Sequence, residues 1–195
     1  MRKYIVTFIL LSISLLGNSQ ESISRREGYK IIESQSSIFP KFYRAFKEIE
    51  ETEKLFSKYK FIRGNGIGTV GKSYSKDGII ELDISYIEKE RKNHDDAKLA
   101  TVLYHELGHI YYRSKFPNKR NDDVQNEKFA FAYSLTRAKL IADEGDCSIL
   151  KSAIASMQKR STSKNLNDEH TIALQQLVNE RRFYNYIQFL KKCSE

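Results

Sequence analysis

The order of apolar and polar residues along the chain divides it into segments. From Tyr4 to Leu16 nearly every residue is apolar, between Met1-Arg2-Lys3 and Gly17-Asn18-Ser19-Gln20. A basic start, about a dozen apolar residues and small residues after them describe a secretory signal cut after Ser19 or Gln20. The stretch is short for a transmembrane helix, though an uncleaved anchor is the alternative. Glu21 to Ser37 is polar and without sustained period, which predicts a loosely held leader. Ser36-Ser37 and Pro40 then open a helix whose stripe of Phe42, Phe46, Ile49, Leu55 and Phe56 runs to about Tyr59. Around Asp77-Gly78 the period changes to two, predicting strand, turn and strand. Ile80, Leu82, Ile84 and Tyr86 share one face of the second strand, and Glu81, Asp83 and Ser85 the other. Such a half-polar strand is either a sheet edge beside the active site, to which an extended peptide could add, or an ordinary exposed strand.

Four helices follow. Asn93-His94-Asp95-Asp96 caps a helix to Arg113 or Ser114, with His94 as a polar cap-region residue. Its Leu99, Leu103, Leu107 and Ile110 lie on one side. His105 and His109 lie opposite, near Thr101, Val102 and Tyr112. Asp122 or Asp123 caps a second helix to about Asp143, with Gly145 beyond and Lys128, Thr136 and Lys139 on its wet side. The remainder reads as helices over Cys147–Lys159 and Asp168–Lys192, joined by Ser161 to Asn165, with His170 solvated near the start of the last or, as the alternative, in the active site. The expected organisation is a signal over 1–20, one domain over 21–145, and C-terminal helices over 146–195 packed on it. The fold class is α+β, mainly helical with a short antiparallel sheet.

Charge adds little to this picture. The formal charge is +8, and signal cleavage lowers it by two by removing Arg2 and Lys3. That balance favours anionic partners such as cell-surface polymers. It is spread too evenly along the sequence to argue for nucleic acid, and no nucleic-acid module accompanies it. No second segment is long enough to span a membrane, so the mature chain is expected to be exported, secreted or periplasmic, without stable membrane insertion. The oligomeric state is not legible. Cys147 and Cys193 are the only cysteines, and they form either one disulfide or two buried thiols.

Two stretches carry candidate chemistry. Gly66-Ile67-Gly68-Thr69-Val70-Gly71-Lys72-Ser73 matches the phosphate-binding loop letter for letter. That loop must run directly into a helix, and here a turn and a strand follow, so the match is discounted. The stronger signal is His105-Glu106-Leu107-Gly108-His109. Histidines four apart on a helix are rotated by only about 40°, so both imidazoles reach one point. This is the arrangement zinc hydrolysis needs, with Glu106 placed to take a proton from water. A catalytic zinc takes a third protein ligand. A histidine six residues past His109 is missing, because Lys115 stands there. Glu127 lies on the apolar side of the next helix, where a carboxylate costs several kcal/mol unless a cation compensates it. Asp123 is the runner-up. Ala130, one turn on from Glu127, lets the helix approach closely. Tyr112 and Tyr133 are candidates for a second oxyanion donor.

His105-Glu-Leu-Gly-His109 followed by Asn126-Glu127-Lys-Phe-Ala130-Phe131-Ala132 resembles the zincin metallopeptidases whose third ligand is a glutamate, the gluzincins. More narrowly it is similar to the ImmA/IrrE-type metallopeptidase domain. The resemblance covers about Ile79 to Leu140; its first motif is specific and its second moderately so. Phe131 stands where larger gluzincins place an aspartate. Members of the narrower family are often intracellular regulators with a DNA-binding domain; this chain has none, so that role is not carried over. The resemblance implies a zincin-like domain that hydrolyses a peptide or protein substrate, with zinc held by His105, His109 and Glu127. The alternatives are a catalytically inactive zinc domain that binds a partner, and another zinc hydrolase such as a deformylase. The last lacks the cysteine ligand it needs upstream of the histidines.

Overall fold

The period-two segment lies at the centre of a sheet. The structure, a computed structural model, describes residues 20–64, 70–88, 95–119 and 122–193. Its four strands are β1 (Glu21–Ile23), β2 (Lys58–Arg63), β3 (Gly71–Tyr74) and β4 (Ile79–Asp83), in the order β1-β2-β4-β3. β4 pairs antiparallel with β3 across the Asp77-Gly78 turn, as expected. It also pairs in parallel with β2, so the sheet is mixed and not purely antiparallel. β4 is therefore interior, and β3 takes the edge, which corrects the reading of β4 as an edge strand. Glu81 made β4 look half-solvated. In register it lies between Lys60 and Lys72 on the two neighbouring strands, which a single strand's pattern cannot reveal.

The opposite sheet face carries Tyr59, Phe61, Ile80 and Leu82, all buried. Against it pack α1 (Arg25–Ser34), α2 (Pro40–Thr52) and α4 (Asp96–Lys115). The leader is thus ordered, contrary to expectation. Ser24 caps α1 by accepting from the Glu27 N–H, and only Ile23, Gly28 and Ile32 of β1 and α1 are buried. Those three are too few to print a period, and Phe61 lies directly under Gly28. α2 ends at Thr52, earlier than its stripe implied, because Tyr59 belongs to β2 and stacks on Phe46 at 4.2 Å. Both α2 N–H groups at Lys41 and Phe42 donate to the Asp96 carboxylate at 2.9 Å, so the start of α4 caps α2 from a distance.

A short α3 (Ser85–Glu88) follows β4. α5 (Asp123–Asp143) crosses α4, capped by Asp122 as predicted. α6 (Ser148–Ser161), α7 (Glu169–Val178) and α8 (Arg181–Cys193) complete the domain. The last helix expected from sequence is two, broken at Asn179-Glu180, and the break covers part of α5. Lys128 pairs with Glu180, and Thr136 meets the Tyr186 hydroxyl, so the wet side of α5 is partly occupied. Cys147 and Cys193 are disulfide-bonded, with Cα atoms 6.2 Å apart. The signal-like segment up to residue 19, His94 and the first half of the phosphate-loop match lie outside the described residues. Its end, Gly71-Lys72-Ser73, is strand β3 and not a helix start. Among the described residues no helix is long and apolar enough to cross a membrane.

Candidate metal centre

α4 is buried on two sides with different tasks. On one side Tyr104 donates to Glu48 at 2.5 Å and Tyr111 donates to Glu53 at 2.5 Å; Arg137 of α5 pairs with both carboxylates. These contacts fix the rotation of α4 about its axis. They also leave Gly108 against α5, where a Cβ would stand 2.7 Å from Ala130 Cα. The two helices meet backbone to backbone, as Ala130 predicted.

That rotation and spacing bring His105 and His109 to Glu127. The two Nε2 atoms are 3.1 Å apart. His105 Nε2 lies 3.2 Å from Glu127 Oε2, and His109 Nε2 lies 3.5 Å from Oε1. Donor atoms held at about 2.0–2.1 Å in a tetrahedron stand about 3.3 Å from one another. The spacing therefore suits a small divalent ion. Proton placement agrees. His109 Nδ1 is 2.9 Å from Asn126 Oδ1, which can only accept, so the ring proton sits on Nδ1 and Nε2 keeps a bare lone pair. Glu127 Oε2 and His105 Nδ1 are buried with no well-aligned hydrogen bond among the described residues. Burial opposes the charged form of Glu127, but His105, His109 and His170 overcome it and hold the carboxyl below its ordinary range. Burial and the neighbouring His105 push the His109 pKa down, which keeps that imidazole neutral. Two imidazole nitrogens and one carboxylate oxygen form a group that could hold a metal ion.

Glu106 is buried beside this group. The Ser73 N–H of edge strand β3 donates to Glu106 Oε2 at 2.8 Å. Gly71 permits the approach, since a Cβ there would stand 3.3 Å from Glu106 Cγ. Burial raises the Glu106 pKa to about 7, with the Glu127 charge adding and His109 and Ser73 opposing. A carboxyl tuned to neutral pH both accepts and returns a proton readily.

For His170 the structure favours the alternative reading. It is not simply solvated at the helix start. Its Nε2 lies 3.3 Å from Glu127 Oε2, and its ring stacks over His105 with centroids 6.1 Å apart. Its Nδ1 is 3.4 Å from Asp168, whose carboxylate is in turn held by Thr171 and Arg160. Ser73 and Asn126 also escaped notice as site residues; only the adjacency of Asn126 to Glu127 offered a signal. Asp123, the alternative ligand, is exposed and outside the cluster. Tyr133 stacks on Tyr111 with its hydroxyl in the field of Glu53, on the other side of α4, which removes it as an oxyanion donor. Tyr112 keeps the histidine side, packed on Phe116 and Phe129, with its hydroxyl buried and unpartnered among the described residues.

Comparison of the chain with protein-family models, with curated proteins and with solved structures finds no match in any of the three.

Proposed function

We propose that the chain is an exported zinc metallopeptidase of the zincin type. The observation that carries the reading is the convergence of His105, His109 and Glu127, with the buried Glu106 carboxylate alongside. When bound, zinc supplies Lewis acidity to a substrate carbonyl and to water. Glu106 takes the water proton and passes it to the leaving amine, and the Ser73 N–H holds its carboxylate in place. Asn126 fixes the His109 ring and its tautomer. His170, oriented by Asp168, takes the part of the second oxyanion donor.

The test is metal content and peptide hydrolysis measured together on residues 21–195. About one zinc per chain, weakened by Glu127→Ala, is expected, with hydrolysis abolished and zinc retained in Glu106→Gln. Hydrolysis by Glu106→Gln at the wild-type rate defeats the mechanism.

A second reading is a non-catalytic zinc domain. It is favoured by the burial of both histidines, 7% and 8% exposed, and by His170 lying over Glu127. Tightly held zinc without turnover of any peptide in a broad library selects it.

A further inference from the structure

The sequence spreads its positive charge evenly, but the fold gathers part of it. Among the described residues α1, α2 and α4 pack on the Tyr59, Phe61, Ile80 and Leu82 side of the sheet. The other side follows from the strand register. One row holds Lys60, Glu81 and Lys72, and the next holds Lys58, Ile79 and Tyr74. The three lysines and Tyr74 are exposed. At the same end of the sheet the Ser57 N–H donates to Gly78 O at 2.7 Å, which joins two turns that carry the exposed Lys54 and Lys76. Five lysines thus surround Glu81 and Asp77, and among the described residues none of the five is in an ion pair.

We propose that this sheet face docks a linear polyanion of closely spaced phosphate groups. Lys58 and Lys60 lie about 6.6 Å apart along β2, and Lys72 lies about 9.6 Å away across two strand spacings. Five lysines against Glu81 and Asp77 leave an extended array of net positive charge that a chain of phosphates can follow. Lysine is a point charge without the planar fork of arginine, so the array reads charge density and not the shape of one group. A stacked base would need a free aromatic platform. Tyr74 offers none, because the ammonium groups of Lys60 and Lys72 already lie 5.0 and 5.7 Å from its ring centroid. A bilayer would need several large apolar side chains to insert, and beside its lysines this face carries Tyr74 and a half-buried Ile79. The face adjoins the edge strand that holds Glu106, so a docked polymer lies beside the candidate metal centre.

The probe is inorganic polyphosphate, titrated against the mature chain over a range of salt concentrations. Five neutralised charges give a log–log salt slope of about −3.5, and Lys60→Gln with Lys72→Gln makes it shallower by about 1.4. Glu106→Gln binds like wild type, which separates this inference from the metallopeptidase reading. An unchanged slope in the double variant overturns the proposal, as does an equal loss in Lys191→Gln with Lys192→Gln on α8. Preference for single-stranded DNA or anionic vesicles over polyphosphate overturns it too. Far-ultraviolet circular dichroism of each variant confirms that the fold is intact.

Discussion

Adding one methyl group at Gly108 tests whether helix spacing sets the metal centre. In an isolated helix Gly108→Ala stabilises by about 1 kcal/mol, because alanine restricts the unfolded chain and suits the helix. Here the new Cβ would stand 2.7 Å from Ala130 Cα, 3.1 Å from Ala130 O and 3.1 Å from Tyr133 Cβ. Carbon atoms are best packed at about 3.5–4.0 Å, so α4 and α5 must separate by roughly 0.7 Å or more. The obstructing atoms are mainly backbone, so no side-chain rotation relieves them. Overpacking of this kind costs about 1–3 kcal/mol and outweighs the propensity gain. The metal-free variant is therefore expected to melt about 2–4 °C lower for each kcal/mol lost. The second effect is functional: Glu127 lies one turn from Ala130 and recedes with α5 from His105 and His109. Zinc affinity, measured by chelator competition, is expected to fall about 10–100-fold, the range seen when a ligand's support is lost. Ala130→Gly does not rescue the variant, because the contacts are to Ala130 Cα and O. A Gly108→Ala protein that melts higher and holds zinc as tightly as wild type refutes the argument.

Four further outcomes follow from the same geometry. In metal-free protein the folded-state pKa of Glu106 is raised from 4.5 to about 7. The native state then binds the extra proton, and stability falls as pH rises from about 4.5 to about 7. Urea denaturation should find Glu106→Gln close to wild type at pH 4.5 and more stable at pH 8, by on the order of 3 kcal/mol; equal stability at pH 8 contradicts the burial of this carboxyl. His170→Ala is expected to retain zinc but lower kcat about 10²-fold, and a change confined to KM removes it as an oxyanion donor. Asn126→Leu leaves His109 Nδ1 without its acceptor and should weaken zinc about tenfold in a chelator titration. Replacing both Cys147 and Cys193 by serine should cost about 4 kcal/mol, since the bridge spans 46 residues; an unchanged denaturation midpoint counts against the pairing.

Local periodicity and capping determined a good deal by themselves. The four-residue spacing of His105 and His109, the caps before α4 and α5, and the alternation through β4 are written in neighbouring residues. Each needs only the geometry of one helix or strand, so each was legible. The placement of Glu127 on the apolar side of α5 was legible for the same reason, and Ala130 announced the close crossing. What depended on partners distant in sequence was not. β1 and α1 are ordered by Phe61 and bury too few residues to show a period. β4 is interior because β2 pairs with it in parallel, a choice that its own side chains do not encode. Ser73, Asn126 and His170 reach the site from a strand, a second helix and a third, and no pattern along the chain links them. The five lysines lie from Lys54 to Lys76, ordinary in sequence, and are gathered by strand register and by the pairing of two turns. Sequence periodicity reports which way a side chain points from its own element; only tertiary packing decides what it meets there.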